Sequence, residues 1–290
     1  MTQALVSTFR NLQIAFRDAN GYPMGTDSTP DAVTNGTSTN AYYYDKPIDI
    51  GGVTIERPTI SGRGGGKVWV RRIANVGEPS NASLNLSAYD SVLNGYIVGT
   101  TPDTTTNANF EVVARNSRKA SPPAFIVMAT TNLALADGSE KFLHRIYLNA
   151  QINLATEANS SQGTGENPNP LAYEIVPNYS SRLPWGQLIS ANSNLSIVDD
   201  SDISIEVLAD YQLAFTTYVD DGSSTSDAFQ LPYTPATTTI AEFLVYNEGV
   251  DDSSNVSVAA DGQVSLTAAN TAGDIMVIFY PVADGFTATS

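Results

Sequence analysis

Apolar and polar residues alternate with a period of two through most of this chain, and this alternation limits the fold more than any other feature. The longest run, over residues 142–153, places His144, Ile146 and Ile152 on one side and Tyr147 on the other. Shorter runs of the same kind recur, and Gly and Pro stand between them. The pattern predicts an all-β fold of half-buried, mainly antiparallel strands.

One segment, 87–99, breaks the alternation and predicts a short helix. Ser87 followed by Asp90 three positions later is typical of a helix N-terminus, and Gly99 is typical of a helix end. The apolar positions between them have helical spacing: Tyr89, Val92, Leu93 and Tyr96. We expect this helix to lie on a sheet.

Charge is distributed unevenly along the 290 residues. The chain has 30 acidic and 14 basic residues; all the bases lie at or before Arg182, and fifteen acids lie after it. The net charge of −16 predicts repulsion from bare phosphate backbones, so tight nucleic-acid binding is not expected. The acids after Arg182, among them Asp199, Asp200 and Asp202, form either a solvated surface or a face turned toward something anionic.

The chain has no cysteine, which excludes disulfides and thiolate sites. Its first residues lack the basic and apolar parts of a secretory signal, and no apolar run is long enough to span a membrane. We therefore expect a soluble, unprocessed protein that is made in the cytoplasm and has no membrane anchor.

Catalytic and metal sites are not indicated. His144 is the only histidine, and its place in an alternating strand favours a core position or a subunit contact over catalysis. Zinc sites cannot be built from one histidine and no cysteine. Calcium binding by irregularly spaced loop ligands remains an alternative for three groups of acids: Asp199, Asp200 and Asp202; Asp220, Asp221 and Asp227; Asp251 and Asp252. We expect no cofactor and no enzymatic activity.

The glycine-rich stretch 62–66, followed by Lys67, invites comparison with phosphate-binding loops. Ser61 and Val68 stand where a Walker loop needs a glycine and a hydroxyl residue, so the spacing fails. We predict instead a bend that leads into a strand over 67–72.

Two polar segments, 18–47 and 155–170, are longer than ordinary connections between strands. Such lengths are typical of arms that contact another molecule or of local disorder. The first segment contains Tyr42, Tyr43 and Tyr44, and tyrosine is frequent at interfaces because it gives contact area at a small entropy cost. The alternative for these tyrosines is a solvent-facing position beside a strand.

The order of strands and turns predicts two units and a tail. The first is a β-sandwich over 1–210, which carries the long arm 18–47 and the long loop 155–170. The second is a small immunoglobulin-like β-sandwich over 211–285, where short alternating segments follow turns at NEG, ADG and AGD. Residues 286–290 form the tail.

Three stretches resemble phage structural proteins. Residues 56–99, which begin ERPTISGRGGGKVWVRRIANVGEP, and residues 141–186, which begin KFLHRIYLNAQINLAT and end in LPWG, resemble the major tail tube proteins of tailed bacteriophages. Residues 229–282 are similar to small β-sandwich modules appended to phage structural proteins. The insertion 18–47 departs from the family pattern.

The resemblance implies a tail-tube-like β-sandwich that forms hexameric rings, stacked into a conduit for genome ejection in the virion tail. DNA would pass through the lumen without specific binding, and tape-measure and tail terminator proteins would be further partners. Asp199, Asp200 and Asp202 would face the lumen or the exterior. The candidate subunit-contact residues are Tyr42, Tyr43, Tyr44, Arg63, Lys67, Arg71, Arg72 and His144.

Other functions stay open. A capsid decoration or tail fibre protein would form trimers instead of hexamers. A carbohydrate-binding β module would stack a sugar on aromatic side chains such as Trp69, Trp185 and Tyr233.

Overall fold

Antiparallel strands dominate the structure, which confirms the all-β, sandwich-like fold class predicted from the alternation. The computed structural model describes residues 4–25, 36–45, 49–50, 55–56, 59–64, 67–73, 78–86, 90–98, 123–156, 171–178, 204–223, 229–283 and 286–289, and the structural statements below concern these residues.

The strands are numbered in chain order, with one α-helix between the ninth and the tenth. The elements are β1 (Ala4–Phe16), β2 (Thr37–Asn40), β3 (Tyr42–Tyr44), β4 (Asp49–Ile50), β5 (Ile55–Glu56), β6 (Thr59–Gly64), β7 (Lys67–Ile73), β8 (Glu78–Pro79), β9 (Ala82–Leu86), α1 (Ser91–Val98), β10 (Phe125–Leu135), β11 (Glu140–Thr156), β12 (Leu171–Pro177), β13 (Ser204–Ala209), β14 (Gln212–Val219), β15 (Phe229–Gln230), β16 (Leu244–Asn247), β17 (Val250–Asp251), β18 (Val256–Val258), β19 (Gln263–Leu266) and β20 (Ile275–Val282).

The first sheet has eight strands in the order β3-β1-β10-β11-β12-β9-β4, with β13 also paired to β11. The long β11 pairs with β10 along one edge and with β12 and β13, end to end, along the other. A bulge opposite 125–127 adds one residue to β11, so Tyr147 and Ile152 lie on the same face and Ile146 on the opposite one. The prediction that Ile146 and Ile152 share a face is therefore wrong, because the bulge lies between them.

Three hydrophobic cores lie between the helix and the successive sheets. The first core, with Leu93 and Tyr147, lies between α1 and one face of the first sheet. The second core, with Ile146, lies between the other face and the second sheet, β17-β16-β20-β14-β2. The third core, with Leu231, lies between the second sheet and the third sheet, β15-β19-β18. The layers therefore follow the order helix, first sheet, second sheet, third sheet.

The helix is present, but its N-cap differs from the predicted one. The Asp90 side chain accepts a hydrogen bond from the Leu93 amide at 3.0 Å, so Asp90 caps α1 in the place expected for Ser87. Leu93 and Ile97, one turn apart, are buried in the first core, whereas Val92 is exposed, contrary to the predicted apolar face. Across the described ranges, no helix combines the length and apolar character needed to cross a membrane.

The described parts of segment 18–47 join the first two sheets of the same chain. β2 pairs with β14 in the second sheet, and β3 pairs with β1 in the first sheet, so the chain crosses between the layers at the buried Ala41. The Thr217 hydroxyl also donates to the Pro23 carbonyl. Residues 26–35 and 46–47 of the predicted arm, and 157–170 of the predicted long loop, lie outside the described residues.

The predicted boundary at residue 210 falls on the turn between β13 of the first sheet and β14 of the second. β14 is buried on both faces: Phe215 lies in the second core, and Tyr218 lies in the third. Residues 211–285 thus share a core with 1–210, and β2 of the earlier part belongs to the second sheet. The division into two domains stays a prediction, and a substitution in the shared second core tests it.

We predict that Phe215→Ala lowers the free energy of unfolding by about 3–5 kcal/mol, because it opens a cavity in the second core. Phe215 is 2% exposed, and its ring lies 5.5 Å from that of Phe279 between centroids. Because both sheets line this core, thermal unfolding followed by circular dichroism is expected to remain one transition that shifts as a whole.

The matched control is Val250→Ala on the exposed β17, which is expected to change the transition little. Two transitions of which Phe215→Ala moves only one would contradict the expectation and support independently folding units.

Candidate assembly surface

The consecutive Tyr42, Tyr43 and Tyr44 have three different environments within the chain. Tyr44 is 3% exposed in the first core. The Tyr42 hydroxyl donates a hydrogen bond to the Asp90 carboxylate at the start of α1. Tyr43 stacks on Phe286 with ring centroids 3.9 Å apart, and burial raises the pKa of Tyr43 to about 12. Their role at a subunit contact stays a prediction, and Tyr44 has almost no surface for it.

His144 is fully buried between the first and second sheets. Its Nε2 lies 3.2 Å from the carbonyl oxygen of Tyr211, and its Nδ1 lies 3.0 Å from the hydroxyl oxygen of Thr130. Because a carbonyl can only accept, the neutral ring carries its proton on Nε2 and accepts the Thr130 hydroxyl proton at Nδ1. Burial lowers the pKa of His144 to about 4. His144 thus anchors the turn between β13 and β14 and presents no surface for a subunit contact.

The strand predicted after the glycine-rich stretch is present as β7, and it pairs with β6, which contains Gly62 and Gly64. β6 and β7 pair antiparallel and form a two-stranded sheet of their own, so their outer edges are unpaired within the described part of the chain. An isolated hairpin is marginally stable in water and gains from added strands. The hairpin carries all four predicted contact cations: Arg63 in β6, and Lys67, Arg71 and Arg72 in β7.

Strand β13 lies at an edge of the first sheet, a position that the sequence does not reveal. One edge pairs with β11, from Ser204 opposite Tyr147 to Ala209 opposite Phe142. The other edge has no partner strand among the residues that the structure describes. Leu208 on β13 is 57% exposed, although it is large and apolar. Unpaired N–H and C=O groups along such an edge are a template for a further strand.

Two ion pairs flank Leu208. The Arg145 guanidinium lies 2.6 Å from the Glu206 carboxylate, and the Lys141 ammonium lies 2.6 Å from the Asp210 carboxylate. Exposed pairs of this kind contribute about 0–1 kcal/mol each, so they affect the stability of the fold little. Glu206, Leu208 and Asp210 occupy alternate positions, the first two in β13 and the third directly after it. The alternation of acids with Leu208 is visible in the sequence, but it does not show that Leu208 is exposed.

Several acids after Arg182 stabilise turns. The side chains of Asp220, Asp221 and Asp251 each accept a hydrogen bond from the amide two positions later, at distances between 2.7 and 3.0 Å. No group of three His, Cys, Asp or Glu residues that could hold a metal occurs in the described ranges. Four acids of the open calcium hypothesis lie outside those ranges: Asp199, Asp200, Asp202 and Asp227.

A groove of about 390 Å³ runs beside β16 on the surface of the second sheet. Apolar side chains such as Ile240 and Leu244 line it together with the polar Asp251 and Ser253. Tyr233, one of the three aromatics considered for sugar stacking, does not line this groove. Tyr233 packs instead against Tyr43 and Phe286, with centroid distances of 5.8 and 5.0 Å. Trp185 and the side chain of Trp69 lie outside the described part of the chain.

Comparison of the chain with models of protein families, with curated proteins and with solved structures finds no match. The resemblance to tail tube proteins therefore rests on the three sequence stretches, and the functional argument rests on the geometry of the chain itself.

We predict that acid destabilises this protein partly through His144. The folded-state pKa of about 4 lies below the ordinary value of 6.5, so the unfolded chain takes up the proton first as the pH falls. Stability from this group is complete above pH 6.5 and decreases by about 3 kcal/mol between pH 6.5 and 4. Chemical denaturation at a series of pH values measures this decrease.

The comparison variant is His144→Gln, whose amide can still donate to the Tyr211 carbonyl but does not titrate. Its free energy of unfolding is expected to change less between pH 6.5 and 4 than that of the natural chain, whatever its absolute stability. Equal slopes for the two proteins would show that His144 is not the titrating group.

Proposed function

We propose that this chain is a structural subunit that assembles with copies of itself, as the major tail tube protein of a bacteriophage. The observation that carries the proposal is the free edge of β13 together with the separate β6–β7 hairpin. Both present unpaired backbone groups within the described part of the chain, and such groups favour pairing with another strand. A contact between two different surfaces either closes into a ring or continues into a filament.

The charge of the chain supports a conduit for DNA. A net charge of −16 repels phosphate groups, so DNA would move along a wall of such subunits without specific binding. In this proposal the subunits form hexameric rings that stack into a tube in the virion tail, with tape-measure and tail terminator proteins as further partners.

The buried His144 supports a structural role over catalysis. A general base must come within hydrogen-bond reach of the proton that it removes, and His144 is fully buried with both ring nitrogens engaged in the fold. Its two hydrogen bonds hold β10 and the β13–β14 turn in place.

The groove beside β16 favours a second candidate, a carbohydrate-binding β module. The Asp251 carboxylate can accept hydrogen bonds from sugar hydroxyls, and the Ser253 hydroxyl can donate to them. Leu244 forms an apolar wall of the groove. Binding on a glycan array by the full chain, abolished in an Asp251→Ala and Ser253→Ala double variant, would support this function. A blank array would remove it.

We predict that the concentrated protein forms six-membered rings or tubes, visible by negative-stain microscopy and present as large species in sedimentation velocity. Trimers as the end state would favour the decoration or fibre alternative. Monomers under every condition, even together with tape-measure and terminator proteins, would overturn self-assembly.

A charge placed on the free edge is expected to prevent assembly. Leu208→Lys puts a solvated cation on β13. Natural edge strands often carry lysine, which hinders pairing with a strand of another chain. Val250→Lys is the matched control, because Val250 is 59% exposed, against 57% for Leu208. Sedimentation velocity should show monomers for Leu208→Lys and unchanged assembly for Val250→Lys. Assembly that survives Leu208→Lys would show that this edge is not the contact.

A further inference from the structure

Three segments of the chain meet at one end of the second sheet: the start of β2, the end of β14 and the turn before β20. The Gly36 amide donates to the Val219 carbonyl at 2.6 Å, and the Asp220 amide donates to the Asp274 carbonyl at 2.9 Å. The Gly273 amide donates in turn to the Asp220 carbonyl at 2.8 Å. Asp220, directly after β14, therefore lies where the three segments are held together.

The side chain of Asp220 is buried, and one of its carboxylate oxygens lacks a partner. Asp220 is 1% exposed. Its Oδ1 accepts a hydrogen bond from the Gly222 amide at 2.7 Å, whereas its Oδ2 has no hydrogen-bond partner within the described part of the chain. No Lys or Arg of that part forms an ion pair with Asp220. A buried carboxylate in this state is costly in free energy, so it needs either a proton or a cation.

Negative charge accumulates around this carboxylate. Burial, and then the charges of Asp220 and Asp221, raise the pKa of Tyr218, so both carboxylates lie close enough to act on its hydroxyl. Residues 183–290 contain no Lys, Arg or His, so β14, β20 and the turns at their ends supply no cation. The local charge therefore attracts a cation from solution.

We propose that a calcium ion binds at the end of β14, with Oδ2 of Asp220 as one of its ligands. Ca²⁺ takes oxygen ligands and accepts main-chain carbonyls and waters beside carboxylates, whereas Mg²⁺ demands near-ideal octahedral geometry and loses its waters reluctantly. The described residues contain no group of three acids that could hold a metal, so carbonyls and waters supply most of the ligands. Such a site binds weakly, with a Kd of about 10⁻⁴–10⁻³ M.

Other acids in turns lack this combination of features. Asp251 and Asp261 each accept a hydrogen bond from the amide two positions later, as Asp220 does, but both are exposed. Water therefore solvates their remaining oxygens. Among the acids that the structure describes, Asp220 alone has a buried oxygen without a partner.

Thermal unfolding of the full chain, followed by circular dichroism, tests the proposal. The protein is first freed of metal with a chelator and then measured in about 10 mM CaCl₂, in MgCl₂ or in NaCl of equal ionic strength. With the Kd given above, calcium is expected to raise the folding equilibrium constant about ten- to a hundredfold, and magnesium less.

The test variant is Asp220→Asn, which is nearly isosteric but carries no charge. It is expected to lose the calcium response. The matched control is Asp261→Asn, because it removes one carboxylate from a turn with the same hydrogen bond at an exposed position. The control is expected to keep the response of the natural chain.

Hydrogen exchange measured by mass spectrometry locates the site in the natural chain, without any substitution. Calcium is expected to slow the exchange of amides in 219–223 and 271–275, whose hydrogen bonds join the segments. The turn 259–263 around Asp261 serves as the internal reference, because it has the same aspartate–amide bond and no buried unpartnered oxygen. This measurement decides the question if Asp220→Asn does not fold.

Each outcome supports or overturns the calcium site. An equal calcium response of the natural chain and Asp220→Asn, or equal protection of both turns, would show only general screening of an acidic surface and overturn the site. The absence of any calcium response would also overturn it and indicate that the buried carboxylate carries a proton. The site does not depend on self-assembly: rings without a calcium response overturn the site alone, and a calcium response without rings leaves it standing.

Discussion

The structure depends on the burial of the second sheet on both of its faces. β14 and β20 carry apolar side chains toward the first sheet and toward the third sheet, so each of these strands contributes to two cores. A strand buried on both faces gains about twice the apolar burial of a half-buried one, which makes the second sheet the main contributor to cohesion between the layers. The third sheet has one apolar face, as the alternating burial of β18 and β19 shows, whereas the first sheet lines the first core with one face and the second core with the other.

Buried polar contacts define how the first two sheets are aligned. Asn11 donates to Gln212 at 2.9 Å, and the Gln13 amide donates to the Leu213 carbonyl at 2.8 Å. Together with the His144 contact to Tyr211, these bonds secure the chain where it leaves the first sheet for the second. An unsatisfied buried polar group is costly, so a shifted alignment is penalised. Within the part of the chain that the structure describes, this alignment leaves the outer edge of β13 without a partner strand, and the proposed assembly depends on that edge.

The candidate contact residues show what the alternation of apolar and polar residues predicts and what it does not. Alternation correctly predicts the strand at Lys67 and the strand around His144, because period two follows from backbone geometry. It does not tell which sheet a strand joins, so Tyr44 and His144, both considered for a subunit contact, lie inside the chain. Leu208 shows the converse: an apolar residue in an alternating strand is expected in the core, and only the packing shows that its side chain is 57% exposed.

The sequence by itself determined the all-β class, the short helix, the strand after the glycines and the segregation of charge, because strand period, helix spacing and composition are local properties. The tertiary structure decided that segment 18–47 joins two sheets and that residues 211–285 share a core with the rest. It also decided that β13 has a partner strand on one edge only among the described residues. These features arise from contacts between residues far apart in the chain, and alternation carries no information about which strands become neighbours.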